Sequence, residues 1–139
     1  MNVKISAISY LNTFPFLYGI YSDKNFMNKI SLSTDYPSLC ASKLINNNVD
    51  IGLIPIAVLP EIENRQIISD FCIGASGRVQ SVMLFSDVPI SDIDNLYLDY
   101  QSRTSVGLIK ILAKNHWKIS PKWIAGLNGY EKDISGKKA

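Results

Sequence analysis

The order in which strand-like and helix-like patterns alternate along the first part of the chain constrains the fold most. Val3, Ile5 and Ala7 alternate with polar residues, which predicts a strand. The pattern continues with a helix over 14–21, a strand over 30–34, a helix over 37–45 and a buried strand over 50–56. This β-α-β-α-β order predicts an α/β layer fold with a parallel sheet.

The middle and the end of the chain carry weaker patterns. The predicted elements are a strand over 79–85, the clearest of this part, a short strand over 97–99, a helix that opens at Ser102 and a strand over 122–124. Strand-like fragments also occur at 67–68 and 71–73. We therefore predict a first α/β lobe over 1–88 and a partial second α/β lobe over 89–139.

Composition excludes several classes of protein. With 47% hydrophobic and 19% charged residues, the chain is too apolar and too weakly charged for an intrinsically disordered protein. No apolar run approaches the roughly 18 residues of a membrane-spanning helix, so no membrane partner is expected. The first residues lack the basic-then-apolar pattern of a secretion signal, which predicts a cytoplasmic location. Cys40 and Cys72 are expected to be reduced and buried, with a disulfide between them as the alternative.

The charge of the chain is nearly balanced overall but uneven along its length. The 14 basic and 12 acidic residues give a net charge of +2, so no nucleic-acid partner is predicted. From Arg103 onward, however, there are eight Lys and Arg residues and only Glu131 and Asp133 as acids. Two interpretations of this basic segment stay open, a solvated helix face or a surface that attracts an anion.

Polar residues follow several predicted strands at the point where each strand gives way to a helix. In open α/β sheets, ligands bind at the carboxyl ends of the strands, and helix starts favour anions. Arg103 adds a fork of donors that matches a carboxylate. We predict that a small, multiply charged anion is bound by Thr13, Ser38, Pro55, Ser102, Arg103, Thr104 and Ser105, with Asn12 beside them. The alternatives are structural helix caps and, for Arg103, a surface ion pair.

No motif for metal or nucleotide chemistry is present in the sequence. His116 has no Cys or carboxylate at metal-ligand spacing, which favours a packing or capping role. Phosphate-binding glycine motifs and the nucleophile elbow of hydrolases are absent. We therefore expect neither a metal nor an organic cofactor.

Five motifs occur together in a specific order. They are ISYLNTFPF at 8–16, PSLCA at 37–41, DIGLIP at 50–55, QSVMLFS at 80–86, and Asp99 followed by SRTSV at 102–106. In this combination the chain resembles chorismate dehydratase, the first enzyme of the futalosine route to menaquinone. The resemblance extends from about residue 3 to about residue 117.

The resemblance implies a fold, a reaction and site residues. The family is similar to type II periplasmic binding proteins, in which two α/β lobes enclose a ligand cleft. Its reaction converts chorismate to 3-[(1-carboxyvinyl)oxy]benzoate with loss of water, without a metal or cofactor. The family's catalytic Asn and Ser correspond here to Asn12 and Ser81. The segment that binds a substrate carboxylate in the family corresponds here to Ser102, Arg103, Thr104 and Ser105.

Chains of this family are substantially longer, so here the second lobe would be incomplete. Its apolar helix face, with Val106, Ile109 and Leu112, would be poorly covered. The expectation is a fragment of the enzyme, a truncated product that self-associates as a homo-oligomer, or a non-catalytic remnant. Two other functions stay open: a non-catalytic cytoplasmic module that binds a small carboxylate, and the sister enzyme that closes the second ring of the naphthoate.

Overall fold

The computed structural model describes residues 2–139, which divide into two compact units. Unit 1 ends at Gly74, and unit 2 runs from Ala75 to Ala139. This division comes earlier in the chain than the predicted lobe boundary between 88 and 89. Both units are of the mixed α/β type with small parallel sheets, as the sequence predicts.

Unit 1 is built around a three-stranded parallel sheet. The strands are β1 (Val3–Ile8), β2 (Ile30–Asp35) and β3 (Ile51–Gly52), in the order β2-β1-β3. Val3 lies opposite Ile30 in the β1–β2 register, and Ile5 lies opposite Ile51 in the β1–β3 register. The central position of β1 agrees with its burial, because Ile5, Ser6 and Ala7 are all buried.

Three helices connect the strands of unit 1, and local sequence explains where they begin and end. They are α1 (Phe14–Ser22), α2 (Lys24–Met27) and α3 (Pro37–Ile45). A proline stands in the first turn of both α1 and α3, where its missing N–H costs nothing. Asp23 caps α2 by accepting hydrogen bonds from two backbone N–H groups, and α3 ends at Asn46.

Unit 2 has two parallel strands and one long helix. The elements are β4 (Asn95–Leu98), α4 (Arg103–Leu112) and β5 (Lys122–Ala125), with β4 and β5 paired directly. Helix α4 continues through a π-helical turn, Ala113–Trp117, and ends at Lys118 in the left-handed conformation. The small core of this unit contains Ile93, Leu96 and Ala139, with Ile109 of α4 packed against it.

The predicted strand over 79–85 is wrong, as are the strand-like fragments at 67–68 and 71–73. Residues 53–94 contain no strand. Val79, Val82 and Met83 are 47%, 47% and 65% exposed, so this stretch buries no common face. A strand needs a hydrogen-bonding neighbour as well as a pattern, and this segment has none.

Two other expectations are corrected by exposure. On α1, the spacing of Phe14, Leu17, Tyr18 and Tyr21 predicts one shared apolar face. Only Leu17 is buried there, and the other three are at least half exposed. Cys40 is buried as expected, but Cys72 is exposed, and both are free thiols. Within residues 2–139, no helix combines the length and apolar character needed to cross a bilayer.

Gly126 is the position in unit 2 where a side chain is least tolerated. A Cβ there would lie 2.7 Å from the carbonyl oxygen of Leu98 and 3.0 Å from the Tyr130 ring. We expect Gly126→Ala to lower the free energy of unfolding by about 1–3 kcal/mol, because either the backbone at Leu98 or the Tyr130 ring must shift to admit the methyl group. Urea denaturation followed by tryptophan fluorescence measures this, since both tryptophans, Trp117 and Trp123, lie in unit 2.

The control is Gly107→Ala within α4, where a Cβ would meet nothing within 4 Å. That change should raise the free energy of unfolding by about 0.5–1 kcal/mol, because Ala loses less backbone entropy in a helix. Equal stability of the two variants would contradict the close packing at Gly126.

Candidate functional site

The carboxyl ends of the three strands in unit 1 meet at one edge of the sheet, because all three run parallel. Asn12 and Thr13 follow β1, Ser38 follows β2, and Pro55 follows β3. The structure therefore places these four predicted site residues along the same edge. Their roles toward a ligand stay predictions.

The sheet order also locates the crevice along this edge. From β1 the chain moves to β2 on one side, and from β2 it crosses to β3 on the other side. Such a reversal between neighbouring strands is the switch point at which open α/β sheets bind ligands. The segments that flank it are 9–13 after β1 and 53–55 after β3.

Thr13 is the most unusual polar residue at this switch point. It is completely buried, and its Oγ1 has no hydrogen-bond partner among residues 2–139. It occupies the N-cap position of α1 without making a side-chain capping bond, so the structural-cap alternative does not account for it. Leaving a buried hydroxyl unpaired costs about 1–3 kcal/mol, and such a group calls for an explanation.

Thr13 is the one buried residue of the short turn that leads into α1. The preceding turn, Leu11–Thr13, is otherwise open to solvent, with Leu11 88% exposed and Asn12 exposed beside it. Asn12, the residue before Thr13, is therefore accessible to solvent.

A polar cluster around Asp35 fixes the end of β2. The Asp35 Oδ2 accepts hydrogen bonds from Ser6 Oγ and Ser33 Oγ, both at 2.8 Å, and from Lys43 Nζ at 2.5 Å. Ser6 is fully buried, and the Asp35 side chain is only 12% exposed. The cluster thus joins β1, β2 and α3, the helix that carries Ser38 near its start.

This environment determines the charge of Asp35. Burial alone would raise the pKa of Asp35, but the hydrogen bonds from Lys43, Ser33 and Ser6 and the Lys43 charge lower it below 3.8. A carboxylate with a lowered pKa is a poor base, so the cluster holds the fold rather than moves protons. Burial raises the pKa of the neighbouring Cys40 thiol, which keeps that thiol protonated.

In unit 2, the predicted residues gather at the start of α4. Ser102 is the N-cap, and its Oγ accepts a hydrogen bond from the Ser105 N–H at 3.2 Å while it donates to Ser105 Oγ at 2.9 Å. The capping alternative is therefore confirmed for Ser102. Arg103 and Thr104 form the first turn of the helix, with Thr104 exposed.

A cavity of about 310 Å³ lies beside this helix start. Its polar lining is Ser105, Asp99, Tyr97 and Tyr130, and its remaining lining is mostly apolar. The two tyrosine rings are stacked with centroids 6.0 Å apart, and burial followed by the charge of Asp99 raises the pKa of Tyr130. Because Asp99 lines the cavity, an anion is disfavoured inside it.

Ser81 lies in the irregular segment of unit 2 and is exposed. Its neighbour Val82 lines the 310 Å³ cavity, whereas Ser81 does not. The structure therefore brings Ser105 to this cavity but leaves Ser81, Ser102, Arg103 and Thr104 outside its lining. Residues 2–139 contain no group of three His, Cys, Asp or Glu side chains that could hold a metal ion.

Sequence reasoning missed Asp35, Lys43 and the unpaired state of the Thr13 hydroxyl. A signal for the first two was present, since an Asp at the end of a strand and a Lys in the following helix can pair across the intervening turn. No sequence signal could have revealed the third, because it depends on what surrounds Thr13 after folding.

These features define an α/β protein whose first unit carries polar groups at the ligand-binding edge of a parallel sheet. A family model described as menaquinone biosynthesis matches residues 3–134. The chain belongs to this menaquinone-biosynthesis family, and the resemblance drawn from its motifs is confirmed at the level of the family.

We expect Thr13→Val to raise the free energy of unfolding of the ligand-free chain by about 1–3 kcal/mol. The substitution keeps the shape of the side chain and removes a buried hydroxyl that has no partner. Urea denaturation measures the change. The matched control is Thr34→Val at an exposed position of β2, where the change should stay within about 0.5 kcal/mol. A loss of stability in Thr13→Val would show that the hydroxyl is hydrogen-bonded in solution.

The Asp35 cluster predicts a specific dependence of stability on pH. Since the pKa of Asp35 is lowered on folding, its contribution is complete above its ordinary pKa of 3.8 and is lost as the pH falls through the folded value. Asp35→Asn should therefore lower the free energy of unfolding by about 1.5–3 kcal/mol at neutral pH and remove this acid-induced loss.

Lys43→Met tests the cause of the lowered pKa. Without the ammonium group the pKa of Asp35 rises towards its ordinary value, so the acid-induced loss of stability should become smaller. Lys29→Met, which removes an exposed lysine of the same unit, should leave the size of this loss unchanged. The measurement is urea denaturation over a series of pH values, and identical profiles for both lysine variants would contradict the assignment.

Proposed function

We propose that this chain acts in menaquinone biosynthesis as a chorismate dehydratase, which converts chorismate to 3-[(1-carboxyvinyl)oxy]benzoate and water. Membership of the menaquinone-biosynthesis family supports the pathway, and the five ordered motifs support this particular reaction. The observation that carries the proposal is the switch-point edge of unit 1, where the accessible Asn12 stands beside the unpaired hydroxyl of Thr13.

The reaction is an elimination that makes the ring aromatic. A proton leaves the ring carbon that bears the enolpyruvyl ether, and its C–H electron pair moves into the ring. The C–O bond to the hydroxyl on the neighbouring carbon then breaks, and the hydroxide leaves with a proton as water. Charge that develops during proton removal spreads towards the ring carboxylate, and aromatisation drives the reaction. The enzyme must supply position and hydrogen-bond donors rather than an oxidant or reductant.

The side chains of the motifs suit this task. In the proposal, the amide of Asn12 and the hydroxyl of Ser81 orient the substrate, and a carboxylate of the substrate itself accepts the ring proton. Asp35 is a poor alternative base, because its pKa is lowered and its Oδ2 already accepts from three protein donors. This supports the substrate carboxylate as the proton acceptor. The single histidine of the chain, His116, is the other alternative base. It belongs to unit 2 and lies at the far end of the helix that Ser102 caps, whereas Asn12 belongs to unit 1.

The proposal extends to the fold and to recognition of the substrate carboxylates. We assign unit 1 to the first lobe of a type II periplasmic-binding-protein fold and unit 2 to part of the second lobe. The start of α4 then serves a carboxylate through its backbone N–H groups, Arg103 and Thr104. The bond between Ser102 and Ser105 supports this role, because it fixes the first turn in place.

The test is turnover of chorismate by the purified 139-residue chain. We expect an aromatic product, detected by chromatography and mass, and a loss of rate of about 10²–10³-fold in Asn12→Ala and in Ser81→Ala. The matched controls are Asn48→Ala and Ser31→Ala, both exposed and outside the switch point, which should keep the rate of the parent chain.

Two outcomes would contradict the proposal. A chain that melts cooperatively and binds chorismate without forming product would be the non-catalytic binding module instead. A pH–rate profile with an essential enzyme base near neutrality, abolished by replacing one Asp or His, would contradict proton transfer to the substrate carboxylate.

A further inference from the structure

A second cavity of unit 2 lies at the opposite end of α4 from Ser102. Its volume is about 620 Å³, within the range of small-molecule sites. Its lining includes Lys110, Lys114, Lys118, Ser120, Pro121 and Trp123. Three lysines, one serine and one tryptophan thus border the same concave surface.

The backbone explains how three lysines come to surround one cavity. Lys110 and Lys114 are four residues apart and share a face of the helical segment. Lys118 follows in the left-handed conformation with φ 56°, which turns the chain back, and the Ile119 N–H donates to the Ala113 carbonyl at 3.0 Å. Trp123 belongs to β5, which pairs with β4, so the opposite wall is part of the sheet.

The positive charge of this cavity is not balanced within the described chain. No carboxylate lines it, and among residues 2–139 none of the three lysines makes an ion pair. The sequence from Tyr100 to Tyr130 contains no acidic residue at all. Lysines near a helix C-terminus also complement its dipole, but that role requires neither a cavity nor an aromatic wall.

We propose that this cavity binds a small organic polyanion that carries an unsaturated or aromatic ring, such as an aromatic dicarboxylate. The ammonium groups and the Ser120 hydroxyl are the partners for the carboxylates. The indole of Trp123, which is 37% exposed, and the apolar Pro121 and Ile119 are the partners for the ring. None of the residues proposed for dehydration lines this cavity, so the inference does not depend on that function.

The test uses benzene-1,3-dicarboxylate as the probe and the Trp123 indole N–H resonance as the reporter. The chain has only two tryptophans, so Trp123→Phe assigns the signal. We expect a saturable shift of this resonance with the dicarboxylate, weaker binding of benzoate, and no shift with benzyl alcohol. Raising the NaCl concentration should weaken binding, because the attraction between charges is screened.

The double variant Lys110→Gln/Lys114→Gln should bind the dicarboxylate about tenfold more weakly, since it loses two of the three charges. The matched control is Lys137→Gln, an exposed lysine that pairs with Asp94 outside the cavity, which should bind as the parent chain does. The salt titration of the unmodified chain gives an independent measurement should the double variant fold poorly.

Three results would overturn the inference. They are the absence of a shift at Trp123, equal affinities of the double variant and the parent chain, and affinity that is insensitive to salt. Binding to vesicles of anionic phospholipid without any response to the dicarboxylate would also overturn it, because the surface would then serve a membrane.

Discussion

Unit 1 depends on β1, the strand that is hydrogen-bonded on both sides. Ser6 shows this most clearly, because its carbonyl accepts from the Leu53 N–H at 2.9 Å while its hydroxyl donates to Asp35 at the end of β2. One buried residue thereby fixes the register of both neighbouring strands. The three carboxyl ends, and the polar residues that follow them, are aligned as a consequence. The site at this edge is thus a product of strand pairing and not of the loops alone.

The parallel α/β architecture of unit 1 could be predicted because its signals are local. Pro15 and Pro37 mark helix starts, and the alternation of Val3, Ile5 and Ala7 marks the central strand. The strand at 79–85 could not be judged in the same way, because the stretch is apolar but has no pairing partner among residues 2–139. Pairing joins distant parts of the chain, and an apolar stretch does not reveal whether a neighbour exists.

The third strand shows a milder form of the same difficulty. The apolar run at 50–56 predicts a buried strand, yet only Ile51 and Gly52 form β3, and both are half-buried. Pro55 has no N–H to donate, and the chain enters a 3₁₀ turn at Ile56. Residues 53–55, which flank the switch point, therefore follow the strand and are not part of it. Candidate residues could therefore be placed at this edge from sequence, whereas the unpaired hydroxyl of Thr13 could not.

The two ends of α4 illustrate two physically different ways to attract an anion. At the start, the helix dipole and the backbone N–H groups act together, and these persist whatever side chain follows Ser102. At the far end the dipole is unfavourable for an anion, so any attraction there comes from the side chains of Lys110, Lys114 and Lys118 alone. The first kind of site is built into the fold. The second depends on side chains that can change without disturbing the helix, and this makes the lysine cavity the more adaptable of the two.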